Sequence, residues 1–157
     1  MNPVAAQESV LVEVAGGNDV ELILPLVEAF CEHFHYPFVR EEKRAQLAEF
    51  VATPALGRLL AIRCRGSLIG YALIAFSFGL EFGGRLAFID ELWVMPSARC
   101  DGVGGTALAQ IEAVSLACGM RALRLEVDRG NERVVALYAR TGYTDHHRRL
   151  LTKKLNP

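Results

Sequence analysis

The chain has 157 residues, of which 52% are apolar and 22% charged, with a formal net charge of −1. That length is one domain's worth of core. The near-neutral charge excludes a general pull toward nucleic acid or an anionic membrane surface.

Residues 1–10 lack the positive n-region and apolar h-region of a secretion signal. Residues 9–14 (S-V-L-V-E-V) alternate enough to predict a first strand, broken by Gly16, Gly17 and Asn18. Asn18 or Asp19 can cap the next helix, because a short oxygen-bearing side chain accepts from a free first-turn N–H. Val20, Ile23, Leu24, Val27, Phe30, Cys31 and Phe34 recur at helical spacing. Pro25 lies in that stripe, so the helix either starts there or kinks. Residues 41–51 predict a second amphipathic helix with Leu47, Phe50 and Val51 inward, ended by Thr53-Pro54. Residues 59–64 and 68–78 predict two strands joined by a tight turn at Arg65-Gly66-Ser67. Residues 79–85 predict a loop and 87–95 the next strand, so strands two to four form an antiparallel meander. The longest nearly apolar run, 68–80, is shorter than the roughly 20 residues a membrane-spanning helix needs. A soluble, cytoplasmic protein is the expectation.

Residues 89–106, I-D-E-L-W-V-M-P-S-A-R-C-D-G-V-G-G-T, combine three features of an anion site. Pro96 cannot donate to a ladder, so the strand stops there. After a polar loop over 97–101, Gly102, Val103, Gly104, Gly105 and Thr106 lead into a helix over 106–118, ended by Gly119. The free N–H groups of a first helical turn and the helix dipole favour an anion, and glycines let it approach the backbone. Arg99 adds a cation. Residues 122–127 predict a strand reached by a right-handed parallel crossover. Asn131 caps a helix through Arg140, Gly142 stops it, and residues 143–155 carry the last strand or two. Four cysteines show no C-x-x-C pair and no histidine at zinc spacing, so no metal site is expected. Cys31, Cys64 and Cys118 read as small buried or half-buried hydrophobes.

The pattern R-x-x-G-x-G over Arg99, Cys100, Asp101, Gly102, Val103 and Gly104 follows a strand ending E-L-W-V-M-P. It resembles the acetyl-CoA-binding motif of the GNAT family of N-acetyltransferases. A second patch is similar to another segment of that family, in the same order and spacing. It comprises Leu125-Glu126-Val127, Asn131, Ala136-Leu137-Tyr138 and Gly142-Tyr143. The resemblance covers most of the chain, from about Leu11 to Leu155. Two positions depart from it: Cys100, where glycine is common, and Asp101, where a cation or polar residue is more usual.

The resemblance implies an α/β fold: a single N-acetyltransferase domain over 1–157, with its core over about 9–155. Its central sheet would be mixed, mostly antiparallel, six- to seven-stranded and flanked by helices, in the order βααβββαβαββ. The implied activity moves the acetyl group of acetyl-CoA to a primary amine by direct attack in a ternary complex. The amine would belong to a small molecule, a lysine or a peptide N-terminus. The pyrophosphate would rest on the loop from Arg99 to Gly104, with Gly105 and Thr106 in the first helical turn. The fourth strand would bulge and splay from the fifth, so that the pantetheine arm pairs with Leu92, Trp93 and Val94.

Tyr138 would protonate the leaving thiolate, since a phenol, with a pKa of about 10, holds its proton more tightly than a thiol at about 8.5. Asn131, roughly two turns earlier on one helix face, would share the cofactor side. Glu91 and Glu126 stand level as bases, with Asp90 behind them. Strand alternation lets only one of Asp90 and Glu91 face the cleft unless a bulge intervenes. The acceptor side would draw on Glu32, His33, His35, Tyr36, residues 81–85 and residues 145–149, with Glu32 and Glu81 able to hold a cationic amine. Many members of the family form homodimers. The rival reading is a non-catalytic sensor that binds CoA or an acyl-CoA, motivated by Cys100 and Asp101.

Overall fold

A computed structural model of the protein describes residues 10–99, 102–128 and 130–155. The expectations that fall on Cys100 and Asp101 lie outside the described residues. The chain divides into two compact units, one ending at Glu126 and one starting at Val127.

The first unit holds β1 (Val10–Val14), α1 (Val20–His33), α2 (Arg40–Ala52), β2 (Gly57–Cys64), β3 (Ser67–Gly79), β4 (Gly84–Val94), α3 (Val103–Ala117) and β5 (Leu123–Leu125). The strands form one mixed sheet in the order β1-β2-β3-β4-β5. The first four are antiparallel and β5 runs parallel to β4. The meander follows from period-two apolar alternation and from the turn at Arg65 and Gly66, both at positive φ, where glycine carries no Cβ penalty.

Alternation gives the sheet two buried faces. On one, Leu59, Ala61, Tyr71 and Trp93 cluster with Ile23, Leu24, Val27, Phe30 and Cys31 of α1 and Leu47 of α2. On the other, Leu60, Ile62, Ala72 and Ile74 are equally buried, and α3 supplies Ala107, Leu108 and Ile111. Each fully buried leucine or isoleucine contributes about 1.5–3 kcal/mol of transfer free energy. Helix α1 begins at Val20 and carries Pro25 inside, rather than starting at the proline. Cys31 is buried, and Cys64 and Cys118 are half-buried.

The outer edge of β1 is closed by a side chain. Gln110 of α3 accepts from the Val12 N–H at 2.8 Å and donates to the Val10 carbonyl at 2.8 Å. An open edge would leave both backbone groups unpaired.

Three expectations are corrected. Helix α3 begins at Val103 instead of residue 106, so Gly104 and Gly105 are helical. Strand β5 is three residues long and does not extend over 122–127; its pairing with β4 stops at Ile89↔Leu125. The sheet has five strands among the described residues, where six or seven were expected, and residues 143–155 carry no strand. A strand needs a partner ladder and one apolar face. That segment instead places Arg148 beside Arg149 and Lys153 beside Lys154, with Leu150 and Leu151 adjacent and both exposed. It also turns early, where the Asp145 carboxylate accepts from the His147 N–H at 2.7 Å.

The second unit holds α4 (Glu132–Arg140), capped by Asn131, whose side-chain oxygen accepts from the Val134 N–H at 3.3 Å. Among the described residues no helix is long and apolar enough to cross a membrane.

Candidate active site

The site begins with one extra residue. Leu73 lies opposite Glu91, but the next pair is Ile74 with Ile89, so Asp90 has no partner on β3. A bulge of this kind bends the strand and re-aims side chains. It turns Glu91 to the face that also carries Tyr71 and Trp93, while Asp90 is left exposed. Sequence alternation alone had left the choice between the two acids open.

The same bulge marks where β4 leaves β5. Pairing covers Ala87 to Ile89 on one strand and Leu123 to Leu125 on the other, and stops there. Beyond it, β4 is the strand partner of β3 alone among the described strands: Met95 donates to the Ile69 carbonyl at 2.8 Å, and Trp93 lies opposite Tyr71. Backbone groups alternate in direction along an antiparallel strand. Trp93 therefore spends its N–H on β3, while Leu92 and Val94 aim theirs at the side that β5 has left. Packing is close here. A Cβ on Gly70 would stand 2.3 Å from the Trp93 carbonyl oxygen and 3.1 Å from the Val94 Cα.

Glu91 sits in a mostly apolar setting. Burial pushes its carboxyl above the ordinary carboxylate range, and the Asp90 charge adds to this; a hydrogen bond from Tyr71 and the Lys43 charge pull the other way. The Tyr71 hydroxyl donates to Glu91 Oε2 at 2.5 Å. Burial above all, and then the Glu91 charge, raise the Tyr71 phenol far beyond its ordinary range, so it stays protonated. The Cys31 thiol beneath is raised as well, chiefly by burial.

Arg99 is committed to the end of β4. Its Nε donates to the Val94 carbonyl at 2.8 Å, and its guanidinium lies over the Trp93 ring at 4.5 Å. Trp93 is 6% exposed and meets Phe30 edge-on at 6.2 Å and His33 at 5.2 Å. Its ring is therefore packing that braces the strand. On the expected acceptor side, Phe34 and Tyr36 stack at 5.8 Å with an interplanar angle of 23°. His35 takes a positive φ of 57° and turns the chain away from α1. Glu32 and His33 are exposed on α1, and Glu81 pairs with Arg124 at 3.0 Å.

Gly102 precedes α3 at a positive φ of 97°, which favours glycine. Thr106 donates to the Gly102 carbonyl at 2.9 Å, so the N–H groups of Val103, Gly104 and Gly105 precede any intrahelical acceptor. Gly104, Gly105 and Thr106 are half-exposed, and the first turn carries no acid.

Glu126 lies past the end of β5 and is exposed. In the second unit, Asn131 is used as a helix cap, and the half-buried Tyr138 meets Tyr143 edge-on at 5.4 Å. Burial raises the Tyr138 phenol.

Residues 23–143 match the acetyltransferase (GNAT) family. The chain belongs to that family. It is 32% identical over 78 residues to a thialysine N-epsilon-acetyltransferase of Bos taurus. That match covers 50% of this chain and 45% of the bovine protein, so the chain spans about half the length of the curated relative it matches. Among solved structures it resembles an integron cassette protein from the mobile metagenome of Cole Harbour Salt Marsh. The TM-score is 0.83 at 25% identity, over 100% of this chain and 97% of that one. An aminoglycoside N-acetyltransferase solved in complex with CoA shares the fold, with a TM-score of 0.78 at 15% identity, over 92% of this chain and 94% of that one.

As a GNAT protein, the chain has a donor set that suits a CoA-type ligand. Among the described residues, a first helical turn that carries no acid and whose N–H groups precede any intrahelical acceptor fits a diphosphate, and the side of β4 that β5 has left fits an amide-bearing arm laid along it. Sequence reading missed Tyr71. The available signal was a tyrosine in the apolar run I-G-Y-A-L-I, where a buried hydroxyl requires a partner.

Proposed function

We propose that this GNAT protein moves the acetyl group of acetyl-CoA to a primary amine by direct attack within a ternary complex. The observation that carries the reading is the parting of β4 from β5 at Asp90, beside the partly buried carboxyl of Glu91. Acetyl-CoA, when bound, supplies an acyl carbon activated as a thioester. The first turn of α3 at Val103, Gly104 and Gly105 binds the diphosphate. Val94 pairs with the pantetheine arm, and the Leu92 N–H polarises the thioester carbonyl as an oxyanion donor.

Glu91 takes the proton of the acceptor amine. Its raised affinity for a proton brings it nearer the working pH than an exposed carboxylate, as general-base catalysis requires. Glu126 is the weaker choice, because it is exposed and lies past the end of β5. Tyr138 returns a proton to the departing thiolate, and burial keeps that proton on the phenol until it is needed. Arg99 acts through the end of β4, holding the Val94 carbonyl.

The amine class is supported by the names of the bovine relative and of the aminoglycoside-acetylating neighbour, both amine acetyltransferases. The test is calorimetry with acetyl-CoA, followed by thiol release over a panel of amines. Saturable binding and amine-dependent thiol release are expected. No heat at about 1 mM cofactor, where even a complex worth about −4 kcal/mol would register, rejects the reading. Binding without thiol release for any amine would make the protein a sensor.

A further inference from the structure

We propose that Tyr71 is a positioning residue for Glu91: its hydroxyl holds Oε2 of the carboxylate and leaves Oε1 to face the acceptor. This rests on the reading of Glu91 as the base.

The geometry is specific. Tyr71 is 0% exposed, so its hydroxyl has no solvent partner, and it donates to Glu91 Oε2 at 2.5 Å. The two residues come from neighbouring strands, and the register that brings them to one face exists only because Asp90 is skipped. The Tyr71 ring is set from below by Phe30, edge-on at 6.3 Å. A phenol that stays protonated can give only one hydrogen here, and it gives it to the carboxylate. A charge-assisted bond of this kind fixes a rotamer that would otherwise turn freely. When the acceptor amine forms its C–N bond and the C–S bond breaks, the amine proton passes to Oε1, and Tyr71 keeps its own.

The charged and titratable neighbours of Glu91 come from every element around it. Lys43 of α2 lowers its proton affinity and Asp90 of β4 raises it, while Cys31 of α1 feels its charge. All three remain in Tyr71→Phe, which removes one oxygen. A shift in that variant therefore reports the hydroxyl alone.

The experiment is a carbon-13 NMR pH titration of the Glu91 carboxyl in the full chain without ligand, with the signal assigned by Glu91→Gln. Tyr71→Phe should raise the Glu91 midpoint by about one pH unit, the size expected when a charged group loses one hydrogen bond. The acid limb of amine-dependent thiol release should move up by the same amount. A midpoint within about 0.3 unit of the parent, well under the worth of one such bond, overturns the proposal. Should Tyr71→Phe fold poorly, fluorotyrosine incorporated at the four tyrosines supplies the second arm. A more acidic phenol donates more strongly and should lower the midpoint; an unchanged midpoint again overturns it. Full thiol release by Glu91→Gln would instead sink the base reading, whatever the titration shows.

Discussion

The middle of β4 and the end of β5 each carry an acid, and the two acids live in opposite surroundings. Glu91 lies just past a bulge, on a stretch paired with β3 on one side and no longer paired with β5 on the other, with its carboxyl bonded by a buried tyrosine. Glu126 lies beyond a three-residue strand, exposed. The difference teaches that a base is made by its setting. Burial and a neighbouring like charge move a carboxylate's proton affinity toward neutral pH, and a strand that has lost one partner can lend its backbone to a ligand.

The most direct way to break this contrast is to neutralise Glu91. Glu91→Gln should lower kcat/KM by about 10²–10⁴-fold, the usual worth of a general base. A loss under about threefold, measured as thiol release, would move the role elsewhere. Tyr138→Phe tests the acid partner and should lower kcat by about 10–100-fold. Its calorimetric affinity for acetyl-CoA should stay within about twofold, because binding and proton transfer are separate losses.

Gly70→Ala strikes the contrast from behind. The new Cβ would meet the Trp93 carbonyl at 2.3 Å, so β4 has to move. A loss of about 2–3 kcal/mol in denaturant unfolding is expected, together with weakened cofactor binding.

A subtler test uses stability. The Glu91 carboxyl binds its proton more tightly when folded, so its contribution is present at low pH and is lost as pH rises through the raised value. Glu91→Gln should therefore match the parent near pH 4 and melt higher at pH 8, by about 2–4 °C for a chain of this length. A variant that melts lower at pH 8 would mean that the bond from Tyr71 outweighs burial. The smallest effect belongs to Glu126→Gln, whose turnover should stay within about twofold of the parent, as for most exposed positions.

Much of the fold was readable. The apolar stripe from Val20 to Phe30 and the alternation of the meander each follow one period, and both elements formed as that period predicts. Where reading failed, a local signal competed with a distant partner. The helix reads as starting at Thr106, yet the first turn of α3 already takes in Val103 and Gly104. Residues 122–127 alternate well enough for a longer strand, but β4 offers a ladder only as far as Ile89. Residues 143–155 hold adjacent like charges that no local pattern could rescue. The family was legible because its motifs, R-x-x-G-x-G from Arg99 and A-L-Y ending at Tyr138, are patterns of residue type along the chain. The different surroundings of Glu91 and Glu126 were not, because they depend on one skipped residue and on a hydroxyl 20 positions away.

Gln110 has a consequence for the molecule's outer margin. Its carboxamide satisfies the Val10 carbonyl and the Val12 N–H at once, as a neighbouring chain would. An extended segment from any other molecule that tried to lengthen the sheet there would have to evict a side chain already fitted to both groups. The same two contacts tie α3 to a fixed height on β1, so that sliding the helix by a single turn would break them together.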